Sequence, residues 1–200
     1  RLLSCLQRIK RMGKITFITG GARSGKSSFA EKIAAAYPDV AYIATSIATD
    51  SEMEERIRLH RQRRPYNWRT YEAYKGIRKI IKDIDKGAIL LDCVTVMVTN
   101  IMMECDIDWD HCTTEQSGYV EALVKDEIVD MLDAARGSSA DFIIVSNEVG
   151  MGLVPAYPLG RIFRDIAGRI NQLIASYADE AYFMVSGIPI ELKPGNGFAQ

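Results

Sequence analysis

The stretch ITFITGGARSGKSSFAE, residues 15–31, decides the fold. Ile15–Thr19 is a short apolar and β-branched run that reads as a strand. Phe29, Ile33, Ala36 and Tyr37 beyond it share one face of a helix. Between them, Gly20-Gly21-Ala22-Arg23-Ser24-Gly25-Lys26-Ser27 matches G-x-x-x-x-G-K-[ST], in the strand–loop–helix setting that gives this pattern its meaning. The glycines let the backbone turn its N–H groups inward as a nest for a phosphate, and the positive end of the helix adds to that field. Lys26 is placed to reach the β/γ oxygens of a nucleoside triphosphate, and the Ser27 hydroxyl to bind Mg²⁺. Such a loop works with an acid at the end of a buried strand, and Ala88-Ile89-Leu90-Leu91-Asp92 supplies one. Asp92 is expected to hold the metal's water shell. A strand-end Asp that caps the next helix is the structural alternative.

The alternation continues along the chain. Val40–Ala44, Ala88–Leu91, Phe142–Ser146 and Ala181–Ser186 are apolar on both faces, as strands covered on both sides are. Helical stripes lie between them: Ile77, Ile80, Ile81 and Ile84, then Val120, Leu123, Val124, Met131 and Leu132, and a long one from Leu159 to Tyr177. This order predicts right-handed βαβ units, hence an α/β fold with a mainly parallel sheet flanked by helices. Gly187-Ile188-Pro189, followed by Ile190-Glu191-Leu192, predicts an antiparallel edge hairpin at the C-terminal end.

With 200 residues, one domain is the expectation, spanning 12–193, with 1–11 an extension outside the fold and 194–200 a frayed tail. The composition, 48% apolar and 26% charged, is that of a globular chain, and no apolar run approaches the ~20 residues of a membrane span. The net charge of −1 hides an asymmetry. Removing Arg1, Arg8, Lys10 and Arg11 leaves 21 basic against 26 acidic side chains, a balance of −5. An acidic body argues against nucleic acid as a partner. Four irregularly spaced cysteines (Cys5, Cys93, Cys105 and Cys112) form no disulfide framework and suit a reducing cytoplasm. Cys105, Asp106, Asp108, Asp110, His111 and Cys112 lack paired metal-ligand spacing and read as an acidic surface loop.

A second segment carries chemistry. In Glu52–Pro65, the residues Met53, Ile57, His60 and Arg64 fall on one helical face, and Arg58, Arg61 and Arg63 lie close by. Clustered guanidinium groups bind phosphate bidentately, and they lower the pKa of a neighbouring imidazole, keeping it neutral and nucleophilic. The residues alone leave a packed core imidazole and a nucleotide-accepting nucleophile on equal footing.

Taken together, the motifs closely resemble the bifunctional adenosylcobinamide kinase/adenosylcobinamide-phosphate guanylyltransferase family of cobalamin biosynthesis. The carrying segments are ITFITGGARSGKSSFAE, AYIATSIATDSEMEERIRLHRQRRPYNWRTYE, ILLDCVTVMVTNIM, IIVSNEVGMGLVPAYPLGRIFRDIAGRINQLIA and EAYFMVSGIPIELK, from about Ile15 to Lys193. The resemblance implies a RecA-like P-loop NTPase fold. It implies phosphorylation of the aminopropanol hydroxyl of adenosylcobinamide by GTP or ATP with Mg²⁺. Transfer of GMP from GTP to adenosylcobinamide phosphate through a guanylylated His60 then follows. It also implies a homotrimer with active sites near subunit boundaries.

Residue by residue, the resemblance places Gly20, Gly21, Ala22, Arg23, Ser24, Gly25, Lys26, Ser27 and Ser28 in the phosphate loop, with Thr45 and Ser46 near bound nucleotide. Arg61, Gln62, Arg63 and Arg64 fall where the family contacts GTP. Glu72 and Asp92 fall at acidic positions associated with guanine nucleotide or metal. Asn147, Glu148, Gly150, Arg164 and Asp165 belong to a shared block, in which a strand-end amide and carboxylate are well placed for a substrate hydroxyl. For Arg164 and Asp165, a helix-surface ion pair is the structural alternative. Some relatives carry two adjacent histidines where this chain has Leu59-His60, and residues 102–118 diverge. A P-loop small-molecule kinase without the transfer step, its His60 structural, is the alternative function.

Overall fold

The computed structural model describes residues 12–47, Arg58 and residues 65–195. Within it, strands β1 (Ile15–Gly20), β2 (Val40–Ala44), β3 (Arg69–Glu72), β4 (Ala88–Asp92), β5 (Asp141–Asn147), β6 (Glu180–Val185) and β7 (Ile188–Lys193) form a seven-stranded sheet in the order β3-β2-β4-β5-β1-β6-β7. All neighbours pair in parallel except β6 and β7, which form the expected antiparallel edge hairpin. The helices are α1 (Lys26–Ala34), α2 (Ile77–Lys82), α3 (Val94–Met103), α4 (Thr114–Gly137) and α5 (Pro158–Tyr177).

The runs with apolar residues on both sides have a simple cause, because each inner strand feeds two cores. Ile15, Phe17, Ile43, Ile89, Leu91, Phe142 and Ile144 point to one face, under α2, α3, α4 and α5. Ile18, Val40, Tyr42, Leu90, Ile143 and Val145 point to the other, under α1 and beside Trp68. The Trp68 ring stacks on Tyr42 with centroids 6.4 Å apart. Helix α5 contributes Ile166, Ile170 and Ile174, all at most 2% exposed. Each such side chain stabilises the fold by about 1.5–3 kcal/mol relative to an exposed one. Helix α4 starts with a reciprocal cap, in which the Gln116 N–H donates to Thr113 Oγ1 (3.2 Å) and the Thr113 N–H to Gln116 Oε1 (2.9 Å).

Two elements escaped the hydrophobic patterning. Strand β3, Arg-Thr-Tyr-Glu, has no fully buried residue; Tyr71 alone packs half-buried against the core, and backbone pairing with β2 runs from Ala41 to Arg69 through Ala44 to Glu72. Helix α3 is rich in valine and threonine and buries Val94, Thr95, Met97, Val98, Ile101 and Met102. Its strand-favouring composition gives way to the packing that surrounds it. Helix α1 ends at Ala34, so Ala36 and Tyr37 lie beyond the helix that their spacing predicts. Likewise Ile84 follows α2 but is buried in the same core. Strand β6 ends at Val185, one residue short of the reading, and Ser186 turns into the hairpin with a φ of 52°.

The amphipathic segment around His60 lies outside the described residues except Arg58, which is helical and exposed. Residues 1–11 and 196–200 also lie outside them. Among the described residues, no helix is long and apolar enough to cross a membrane.

Candidate active site

The C-terminal ends of β1, β4 and β5 lie side by side, and the strand order sets what meets there. Because β5 runs between β1 and β4, Asn147 and Glu148 come out between the phosphate loop and Asp92. The Glu148 N–H donates to the Gly20 carbonyl at 2.9 Å, so the two loops leave the sheet in contact.

The phosphate loop itself is held by close backbone approaches. A Cβ on Gly20 would fall 2.6 Å from the Met184 carbonyl oxygen and 2.8 Å from Ser24 Oγ. Gly25 sits at φ 92°, and Arg23 also takes a positive φ, 56°. Gly25 is the N-cap of α1 and carries no side chain to cap it, which leaves the helix's first N–H groups facing the loop. The Gly187 N–H donates to the Ser24 carbonyl at 2.9 Å, so the tip of the β6–β7 hairpin braces the loop from the other side.

Lys26 is 8% exposed, and its ammonium donates to the Gly21 carbonyl at 2.9 Å. Burial pushes its pKa below the ordinary lysine value, against the opposing pull of Cys93 and Asp92 nearby. Asp92 ends β4 and accepts the Tyr42 hydroxyl at 3.0 Å. The N-cap of α3 is Cys93, and no side chain caps that helix, so the carboxylate of Asp92 is not spent on capping. The Cys93 thiol is pushed up by burial, with Asp92 adding to the effect. Thr19 Oγ1 and Ser24 Oγ are buried and have no hydrogen-bond partner among the described residues. Buried hydroxyls without a partner at and just before the phosphate loop are consistent with a site completed by a phosphate, its metal or their water. Ser27 and Asp92 offer the oxygen donors that Mg²⁺ takes.

The loop after β2 divides its two expected nucleotide contacts. Thr45 is 1% exposed, and its hydroxyl is engaged within the protein: it donates to the Cys93 carbonyl (2.8 Å) and accepts from the Cys93 N–H (2.9 Å). The Asn100 amide further holds the Thr45 carbonyl at 2.7 Å. Ser46 is only partly buried. Glu72 ends β3 beside Ala44, exposed, at the same edge of the sheet. His60, Arg61, Gln62, Arg63 and Arg64 lie outside the described residues. Arg164 and Asp165 pair with each other on α5 at 3.6 Å. In the 104–113 loop, Asp108 binds the His111 ring at 2.8 Å and caps the short turn Trp109–His111.

A partly buried polar chain that sequence reading did not find supports this edge. The Asn147 amide donates to Thr95 Oγ1 at 2.6 Å, and the Cys93 thiol lies 3.3 Å from that same oxygen. Asn171, from the middle of α5, donates to the Asn147 carbonyl at 3.0 Å and accepts the Ser146 hydroxyl at 2.7 Å. The available signal was a lone Asn on the apolar stripe of an amphipathic helix.

Residues 16–192 match the family described as cobinamide kinase / cobinamide phosphate guanyltransferase. The chain belongs to this family. It is similar to the bifunctional adenosylcobalamin biosynthesis proteins CobU of Salmonella typhimurium and of Escherichia coli. Each is 44% identical over 183 residues, covering 88% of this chain and 98% of the relative. It is also similar to CobP of Pseudomonas aeruginosa, 39% identical over 179 residues, 88% of this chain and 95% of the relative. For a cobinamide kinase family member, the shared span takes in both the phosphate loop and the end of β5.

Proposed function

We propose that the chain phosphorylates the aminopropanol hydroxyl of adenosylcobinamide and then converts the product to adenosylcobinamide-GDP with GTP. The observation that carries the reading is the meeting of the phosphate loop, Asp92 and the Asn147–Glu148 strand end at one edge of the sheet. In the first reaction the N–H nest and Lys26 hold the β- and γ-phosphates of GTP, with ATP as the other donor. The substrate oxygen bonds to the γ-phosphorus, the bond to the β–γ bridging oxygen breaks, and the nucleoside diphosphate leaves. Glu148, whose Oε1 accepts the Gly150 N–H at 2.6 Å, is the carboxylate we assign to take the hydroxyl proton, and Asn147 the amide that orients the hydroxyl. Ser27 and Asp92 would hold Mg²⁺, which supplies charge neutralisation on the phosphates when bound.

In the second reaction the His60 imidazole bonds to the α-phosphorus of GTP, and pyrophosphate departs. Arg61, Gln62, Arg63 and Arg64 bind the phosphates, while Ser46 and Glu72 contact the nucleotide and Thr45 positions their loop. A phosphate oxygen of adenosylcobinamide phosphate then displaces the imidazole. Residues 12–193 act as one catalytic unit. We assign the chain to the cytoplasm and to a homotrimer. The first is supported by the free thiols of Cys93, Cys105 and Cys112. The second rests on the resemblance to the family, and edge strand β7, where Ile188, Ile190 and Leu192 are exposed, supports self-association without fixing the number of copies.

Incubation with GTP labelled at the α-phosphate tests the reading. The expected result is an acid-labile, alkali-stable label on the protein that His60→Ala lacks and adenosylcobinamide phosphate discharges. A chain that phosphorylates cobinamide but takes no label refutes the transfer step and leaves a kinase alone.

A further inference from the structure

The hydroxyl to be phosphorylated hangs on a short arm from a corrin ring too broad to follow it into the site. The ring must rest on the rim of the sheet's catalytic edge. We propose that the loop Met151–Tyr157, between β5 and α5, is the seat of the corrin ring, with Met151, Leu153, Val154 and Tyr157 packed against its methyl-bearing periphery. This assignment rests on the reading of cobinamide as the substrate.

Met151, Leu153, Val154 and Tyr157 are 79%, 96%, 64% and 60% exposed. Four large apolar side chains turned outward from one loop are costly in water and mark a binding surface. The loop begins at Glu148, whose N–H is bonded to the phosphate loop, so it borders the site directly. It is also built rather than slack. The Arg161 guanidinium donates to the carbonyls of Pro155 (3.1 Å) and Ala156 (2.7 Å). Gly160 lets the loop fold onto α5, since a Cβ there would fall 2.7 Å from Pro155 and 2.8 Å from the Tyr157 ring. A surface fixed in advance loses little entropy when a ligand covers it.

Other surfaces and occupants fit less well. Four exposed apolar side chains on one loop are far fewer than the about 20–30 residues a side that a stable protein interface takes. The exposed apolar residues of β7 start beside the hairpin tip at Ile188 but run down an edge strand to Leu192, leaving the catalytic edge, and suit a second copy better. A cavity of about 570 Å³ lies beside Lys75, Glu104 and Tyr119, but neither the phosphate loop, Asp92 nor the end of β5 lines it. A ring held there would not deliver its arm to the γ-phosphate.

The test uses Leu153→Asp and Met151→Asp in the full chain, both at exposed positions with little packing to lose. Equilibrium dialysis against adenosylcobinamide, read by its visible absorbance, measures binding without turnover. Phosphoryl transfer from γ-labelled GTP gives KM and kcat. The expected result is a corrinoid Kd and KM raised about tenfold or more, with kcat and the Kd for a fluorescent GTP analogue within about twofold of wild type. Variants that bind the corrinoid as tightly as wild type overturn the proposal and leave the kinase reading standing. Variants whose mass in sedimentation falls while corrinoid binding holds also overturn it, by making the patch a self-interface. A wild-type chain that binds no adenosylcobinamide removes the parent reading as well.

Discussion

Thr45→Val isolates one buried hydroxyl that ties β2 to the strand end bearing Asp92. Valine keeps the shape of threonine and removes the oxygen. Two hydrogen bonds disappear, to the Cys93 carbonyl at 2.8 Å and from the Cys93 N–H at 2.9 Å. The two losses are unequal. The Cys93 carbonyl still accepts the Met97 N–H at 3.2 Å, the first bond of α3, whereas the Cys93 N–H loses the acceptor the structure gives it. With Thr45 1% exposed and Cys93 9% exposed, water does not readily replace the oxygen. An unsatisfied buried donor costs about 1–3 kcal/mol, and the second bond a further ~0.5–1.5 kcal/mol. The expected destabilisation is therefore about 2–4 kcal/mol, a sizeable part of the 5–15 kcal/mol that holds a typical domain folded. Thr45→Ser keeps the hydroxyl, loses one methyl group and is expected to cost about 1 kcal/mol. Urea unfolding of the three proteins, followed by far-UV circular dichroism, gives both values from midpoints at constant slope. If valine costs no more than serine, the hydroxyl does not hold this edge together and the reasoning fails.

Gly20→Ala places a Cβ within 2.6 Å of a strand carbonyl that cannot move away, so we expect a loss of about 1–3 kcal/mol in stability together with weaker GTP binding. Normal GTP affinity at unchanged stability in thermal melts and equilibrium titration would show that the loop does not need this approach. Burial lowers the pKa of Lys26 in the unliganded chain, so its charge is lost at lower pH than that of an exposed lysine. GTP affinity should therefore begin to fall on the alkaline side before ordinary lysine titration, with proton uptake on binding in that window. The sign for stability is opposite: the unfolded chain holds this proton more tightly, so the group's unfavourable contribution is full below the folded pKa and fades as pH rises through it. A GTP Kd that stays flat up to the ordinary lysine range would rule this out.

Much of the fold was legible because chemistry and periodicity coincide in it. Ile15–Gly20, Ala88–Asp92 and Asp141–Asn147 are buried on both faces and show it as runs with apolar residues on both sides, each reaching one residue further at its C-terminal end than the pattern alone suggested. Strand β3 and helix α3 were not legible. Arg69–Glu72 becomes a strand by pairing with β2, and Val94–Met103 becomes a helix against the preference of its valines. In the site, the phosphate loop could be read because its glycines answer a local backbone demand. The engagement of Thr45 with Cys93 and the chain from Asn171 through Asn147 to Thr95 could not, since each joins residues more than twenty positions apart.

The sequence by itself determined the phosphate loop, the parallel α/β class, the edge hairpin and the family. All four depend on short-range spacing or on residues shared in order along the chain. The tertiary structure alone decided that β5 lies between β1 and β4. That order follows from which apolar faces can be covered together, a global packing problem that local pattern does not encode. It brings Asn147 and Glu148 between Lys26 and Asp92, and it sets the apolar loop Met151–Tyr157 on the rim beside them.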